Sequence, residues 1–458
     1  MTYAQGLSAV LAAPAPWQPA RLLEQLGIPA FWAEYVVWPL VQLAVILFVV
    51  LTIVAYLVYL ERKVSAFIQA RLGPMRVGPY GLLQPLADGL KLLAKEDIVP
   101  SEADKFLFLL APVIATGVAL GLLALVPFGA GWATVADVNI GLLLILSVSS
   151  IGVFGIVLAG WSSNSKYALL GAVRSSAQLV SYEVAVGLAL IGPLLFARSL
   201  SMQTIVEAQR ATGMWFVLFQ PLAFGIYFVG ALAETNRAPF DLPESESELV
   251  AGFHVEYSGF RWALFFTAEY TNIIITSAIA VTVFLGGWWI PGLETVTGWI
   301  AGAVGSADPA STAWSVTYTL LSVGVFAAKI LAIIYAVMWI RWTLPRYRYD
   351  QLMDLGWKWM IPAALANIVL TAVFYVIALE WRTPMGQGIL MNPLPVGLWM
   401  SGAGLAYFIV TGIVTVVVSW MLLAKINRHT TDFNLHAQRQ LQIRKRAERL
   451  AEVGREVS

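Results

Sequence analysis

Residues 234–259 read ETNRAPFDLPESESELVAGFHVEYSG and hold six carboxylates: Glu234, Asp241, Glu244, Glu246, Glu248 and Glu256. Only Arg237, and Arg261 just beyond the stretch, offset them. Carboxylates this close hinder one another's ionisation, so some can trade protons near neutral pH. A chain of such groups is what a proton relay requires. A plainer reading covers part of the set. Asp241 before Pro243 suits a helix start, where the macrodipole favours acids. That accounts for Glu244 and not for all six.

Three more ionisable side chains stand inside long apolar runs. Glu183 is nine residues past Arg174, ~13 Å along a helix, and Glu269 is eight past Arg261, ~12 Å. Lys329 lies twelve residues before Arg341, ~18 Å, which predicts a place near the middle of a bilayer. A charge at such depth costs about 2.5–3.5 kcal/mol on insertion scales, so these residues point to function by default. A buried Lys–Glu pair or a snorkelling side chain is the structural alternative.

A third stretch is amphipathic. In 81–95, Leu82, Leu86, Leu90 and Leu93 recur at helical spacing, with Gln84, Asp88, Lys91 and Lys95 on the other face. Upstream, Val64, Phe67 and Ile68 oppose Arg62, Lys63 and Arg71, and Gly73–Pro74 and Gly78–Pro79 force turns. The pattern predicts a helix lying in the membrane interface. It serves as a simple anchor or as one wall of an entrance for a lipid-soluble ligand.

Other chemistry is sparse. There is no phosphate-binding GxxxxGK[ST], no GxGxxG between strand and helix, and no HExxH. Ser162, Ser163 and Ser165 form a polar turn with no histidine to activate them. With no cysteine there is no disulfide, thiolate zinc site, cysteine-held iron–sulfur cluster or covalent c-type haem. Of His254, His429 and His436, only His254 lies between apolar runs, which excludes a haem held by two histidines inside the membrane. No metal site is expected.

The elements that position these groups follow from composition. The chain has 458 residues, 59% hydrophobic and 12% charged, with a net charge of +1. Soluble proteins carry about 25% charge. A soluble enzyme, a disordered chain and a nucleic-acid binder are therefore excluded. Apolar runs long enough to span a bilayer lie near 36–60, 106–127, 140–160, 175–197, 214–233, 262–286, 318–340, 359–379 and 399–424. Residues 35–60, 106–136 and 138–165 have no charge at all, and none of the runs alternates as a barrel strand does. The expected fold is an all-α membrane protein, a polytopic bundle of about nine transmembrane helices with an interfacial amphipathic helix after the first. Residues 1–35 form an outside segment, 36–424 the membrane domain and 425–458 a tail.

Counted from an outside N-terminus, the inside loops hold 23 Lys and Arg. The outside segments hold four, namely Arg21, Arg198, Arg210 and Arg382. The bias predicts an outside N-terminus and a cytoplasmic C-terminus. Trp38, Tyr59, Trp161, Trp215, Trp288 and Trp339 fall at span ends, as interfacial belts do. The first 35 residues show no signal or transit pattern. The tail, with eight basic and four acidic residues, is expected to lie near anionic headgroups.

Four stretches together resemble one family. They are ERKVSAFIQARLGPMRVGPYGLLQPLADGLKLLAKE (61–96), GWSSNSKYALLGAVRSSAQLVSYEVAVG (160–187), AETNRAPFDLPESESELVAGFHVEYSGFRWALFFTAEYTNI (233–273) and RWTLPRYRYDQLMDLGWKWMIP (341–362). Over roughly 36–380 the chain is similar to the H subunits of the proton-pumping NADH:quinone oxidoreductase, respiratory complex I. The resemblance implies a bacterial inner-membrane protein that joins the membrane arm of that complex to the soluble arm. Such a protein forms the quinone entrance and starts an acidic path toward the antiporter-like subunits. Quinone, ubiquinone or menaquinone, is then the substrate. Flavin and iron–sulfur clusters belong to partner subunits: soluble ones carrying the terminal cluster and small membrane neighbours.

Carried over residue by residue, Arg62, Arg71 and Asp88 line or flank the quinone channel, with Glu61 beside them. Glu183 matches the acid of the SYEV motif. With Glu234, Asp241, Glu244, Glu246, Glu248, Glu256 and Glu269 it makes the proton-linked path, and Lys329 balances the buried carboxylates. Arg237, Arg341, Arg346 and Arg348 hold loops against partner subunits. Met75 departs from the family's asparagine, and the ninth span and basic tail exceed the shorter, eight-span members. Three other readings stand beside it: the equivalent component of a membrane-bound hydrogenase, a stand-alone proton-coupled transporter, and a purely structural anchor for a soluble arm, which leaves Glu183, Glu269 and Lys329 without a reason. Nine spans do not divide into the equal repeats that a transporter favours.

Overall fold

A computed structural model describes residues 29–242, 250–304, 311–380, 409–421 and 424. Among them every regular element is helical. We number the principal helices α1 (Trp38–Ile68), α2 (Gln84–Ala94), α3 (Lys105–Leu122), α4 (Gly141–Ser162), α5 (Lys166–Ala197), α6 (Met202–Thr212) and α7 (Pro221–Glu234). There follow α8 (Gly259–Phe284), α9 (Leu293–Val304), α10 (Thr312–Thr343), α11 (Tyr349–Asp354) and α12 (Ile361–Glu380). The apolar run near 399–424 is represented by α13, Ile409–Met421.

Among the described residues, seven helical stretches are long and apolar enough to cross a membrane, and α7 and α13 are shorter apolar helices. The run expected at 214–233 becomes an α-helix only at Pro221, whose ring is pre-set for a helix's first turn. At 14 residues α7 is ~21 Å long, less than the ~30 Å hydrocarbon thickness. Residues 214–220 hold only the short 3₁₀ turn Phe216–Leu218, and they follow α6. In α6, Arg210 pairs with Glu207 at 3.3 Å and with Glu294 of α9 at 3.1 Å.

α8 is enclosed by the other helices, whereas α1 shows most of its apolar surface. α3 packs on α4 and α8, α4 on α5, and α5 on α7 and α12. In a bilayer such packing relies on close backbone approach. At Gly160 of α4, a Cβ would stand 2.6 Å from the Ala168 carbonyl oxygen of α5 and 2.3 Å from the Ala172 Cβ. Only glycine lets these helices meet so closely.

The amphipathic stretch forms α2, with Leu86, Leu90 and Leu93 exposed. Its approach turns through Gly78 (φ +72°) and Gly81 (φ +82°), and a Cβ at Gly81 would lie 2.3 Å from the Pro74 carbonyl oxygen. The Tyr59 hydroxyl donates to the Tyr80 carbonyl at 2.7 Å, fastening this loop to α1. After α2 the chain is tied to the start of α8 by Arg261 and Asp97, 2.9 Å apart. An inner cluster, with Phe108 and Tyr257 stacked at 4.0 Å, supports that junction.

Candidate functional site

Successive residues on a helix point about 100° apart. Glu61 and Arg62 therefore leave α1 in different directions. Arg62 turns to the exposed side and pairs with Asp88 of α2 at 2.7 Å, and Gln84 donates to the other Asp88 oxygen at 3.0 Å. Arg71 donates to Gln69 at 2.6 Å nearby. The Lys63 ammonium contacts the Met75 sulfur at 2.9 Å, so the thioether occupies the position where an amide was expected.

Glu61 turns inward and is buried. It accepts from Arg341 of α10 and, at 2.5 Å, from the Tyr270 hydroxyl of α8. The Arg237 guanidinium lies 4.6 Å above the Tyr270 ring centroid and pairs with Glu269 at 3.1 Å. A continuous polar chain thus runs Arg341, Glu61, Tyr270, Arg237, Glu269, across α10, α1, α8 and the loop after α7. Each buried charge in it meets an opposite charge, which its burial requires.

Glu269 opens onto a cavity of about 60 Å³, large enough for a few water molecules. Glu183 of α5 and Glu234 of α7 line the same cavity, with Asn236 and Asn272. Glu183 accepts a hydrogen bond from Ser150 of α4. The loop carrying Glu234 and Asn236 is held by buried Gln178, whose amide donates to the Ala233 and Phe240 carbonyls at 2.7 Å each. Beyond it Asp241 pairs with Arg346, and the Tyr347 amide donates to the Pro239 carbonyl at 3.1 Å.

The structure therefore brings together Glu183, Glu234 and Glu269 and links Glu269 to Glu61. Glu61 joins this acidic chain rather than the exposed Arg62–Asp88 pair. Glu256 is partly exposed and outside the cavity lining. Glu244, Glu246 and Glu248 lie outside the described residues. Arg237, expected to meet a partner subunit, is 4% exposed and engaged by Glu269 and Tyr270, which leaves it no face for one. Arg341 and Arg346 tie loops and helices of this chain to one another through Glu61 and Asp241. Arg348 caps α11, its backbone amide donating to Gln351 at 3.1 Å.

Lys329 does not balance the carboxylates. Its ammonium donates to the carbonyls of Leu285, Gly287 and Trp289, just past the end of α8 remote from Glu269. Arg341, twelve residues further along α10, is the residue of that helix that meets a carboxylate, Glu61. Sequence reasoning missed Tyr270, Ser150 and Asn272. The one signal for them was polar residues adjoining Glu269 or facing Glu183 within apolar helices.

His254, in the short turn Gly252–His254, is half-buried. Burial pushes its pKa down to about 4; nearby Arg237 adds to this and Asp241 opposes it. It is a neutral imidazole at physiological pH.

A bundle of long apolar helices, with paired buried charges leading to an acidic cavity, defines a polytopic membrane protein. The NADH dehydrogenase family profile matches residues 41–372. The chain is 49% identical to an H subunit of NADH-quinone oxidoreductase from Geobacter sulfurreducens, over 78% of this chain and 99% of the relative. It is 51% identical to an H subunit from Geobacter metallireducens, covering 72% and 94%. The H subunit from Rhodospirillum rubrum is 48% identical, covering 76% and 97%. The chain belongs to the family of NADH-quinone oxidoreductase H subunits, and is thus a multi-pass membrane component of an oxidoreductase complex.

Proposed function

We propose that this chain forms the quinone entrance and the first stretch of the proton path in a proton-pumping NADH:quinone oxidoreductase. Quinone passes beside α2, where the exposed Leu86, Leu90 and Leu93 suit an isoprenoid tail and the Arg62–Asp88 pair and Arg71 form a polar rim. Electrons arrive from NADH through flavin and iron–sulfur clusters in partner subunits, consistent with a chain that has no cysteine. The soluble partners meet the face that bears α2 and the acidic loop. That face is cytoplasmic, with the N-terminus outside and the C-terminus inside.

The observation that carries the reading is the sharing of one cavity by Glu183, Glu234 and Glu269. Carboxylates around a cavity with room for water can pass protons by hydrogen-bonded relay. Glu61, hydrogen-bonded to Tyr270, connects the quinone side of α1 to that cavity. Charge change at the quinone shifts the Arg341–Glu61–Tyr270 contacts, and Arg237 conveys the shift to Glu269. Asp241, Glu244, Glu246, Glu248 and Glu256 belong to the same acidic loop and supply protons to it.

The test uses the assembled complex carrying Glu183→Gln or Glu269→Gln. The expected result is loss of quinone-linked turnover and pumping together, with NADH oxidation by a soluble artificial acceptor retained. Normal pumping in both variants would overturn the reading.

A further inference from the structure

Lys329 Nζ stands 2.6 Å from the Leu285 carbonyl oxygen, 2.9 Å from that of Gly287 and 2.7 Å from that of Trp289. The Trp215 ring covers it, centroid 4.9 Å away. α8 ends at Phe284, and the last carbonyls of a helix lack intrahelical donors. In an apolar surround they must be satisfied within the protein. The chain then turns through positive φ, +75° at Gly286 and +54° at Gly287. A Cβ on Gly286 would lie 2.8 Å from the Trp215 ring, and one on Gly287 2.4 Å from the Val206 side chain. The turn is open only to glycine, and it aims three alternate carbonyls at one point.

An ammonium has three donors, and here it meets three acceptors. A planar guanidinium fork does not match converging carbonyls in this way. The charge also sits at the negative end of the α8 dipole. We infer that Lys329 is a positioning residue: a tethered ammonium filling a three-carbonyl cation site past the end of α8, which fixes α8 against α10.

The same two helices are tied a second time, through Tyr270, Glu61 and Arg341. On α8 the ties are fifteen residues apart, ~22 Å; on α10 they are twelve apart, ~18 Å. Sliding of one helix along the other breaks both. The Lys329 tie therefore sets the depth at which Tyr270 meets Glu61 and Glu269 meets Arg237. The tie stands on its own geometry; its effect on turnover rests on the proton-path reading above.

The test uses the purified whole complex carrying Lys329→Ala or Lys329→Arg. Amide hydrogen exchange over residues 281–289 reads the tie without quinone. Exchange there should rise roughly tenfold in both variants. Quinone turnover should fall roughly fivefold, with oxidation of NADH by a soluble artificial acceptor unchanged. Ethylammonium should restore slow exchange and turnover to Lys329→Ala and do nothing for Lys329→Arg, whose side chain still occupies the space. Wild-type exchange in Lys329→Arg overturns the inference, as does raised exchange in Lys329→Ala that ethylammonium leaves unchanged. Slow exchange restored without turnover upholds the tie and counts against the proton-path reading instead. Lys329→Arg keeps charge and bulk, so where Lys329→Ala does not assemble, exchange in the arginine variant decides.

Discussion

Arg237 and Glu269 meet at 3.1 Å, with side chains only 4% and 13% exposed. Removing one partner of such a pair strands the other charge, at a cost of about 3–5 kcal/mol. Arg237→Met should therefore lower the thermal midpoint and yield of the complex. Adding Glu269→Gln to it should recover most of the loss, because the stranded charge is gone. A double-mutant cycle on thermal unfolding measures the difference; additive losses would show that the two residues do not depend on each other.

Tyr270 makes two separable contacts, a hydroxyl donated to Glu61 at 2.5 Å and a ring beneath Arg237. Tyr270→Phe removes only the first. A hydrogen bond to a charged group contributes about 1.5–3 kcal/mol. Tyr270→Phe should thus slow quinone-linked turnover while the Arg237–Glu269 pair keeps its place. Tyr270→Ala should also loosen Arg237. Thermal midpoints and turnover in parallel check this: the two variants should differ in stability more than in turnover.

The bundle, its amphipathic α2 and the acidic character of the loop after α7 are legible in the residues, because long uncharged runs and helical leucine spacing have few other solutions. What connects the acids is not. Glu61 stands beside Arg62 in the motif and reads as its companion, yet the helical turn sends the two to different sides. Tyr270 is one more aromatic in an apolar run until α1 and α10 are packed against it. Arg237 reads as a loop cation for a partner until burial shows it facing Glu269. Lys329 reads as a counter-charge for the buried acids until the fold brings the carbonyls past α8 to it. Local periodicity reveals which face of a helix is apolar; contacts between helices far apart in sequence need the fold.

His254 gives the acidic loop a pH dependence with a definite sign. Unfolded, its imidazole takes a proton near pH 6.5. Folded, burial holds it neutral down to about 4. The unfolded chain therefore binds the extra proton between these values. Its contribution to stability is fully present above pH 6.5 and is lost as pH falls toward 4. His254→Gln should flatten the thermal midpoint across that window and leave it unchanged above pH 7. An equally steep acid decline in the variant would assign the effect to other groups.

Asp88 tests the division between entrance and proton path. It accepts from Arg62 at 2.7 Å and from Gln84 at 3.0 Å, but the Arg62 side chain is 48% exposed. Exposed pairs contribute no more than about 1 kcal/mol. Asp88→Asn should accordingly leave the thermal midpoint near that of the wild type. Its effect belongs to quinone: with Arg62 released and α2 freed from α1, KM for quinone should rise, and kcat at saturation should stay close to wild type. Glu61→Gln, on the inward side of the same helix, should do the reverse and lower kcat with little change in KM. A kcat loss at constant KM in Asp88→Asn would move Asp88 from the quinone rim into the relay.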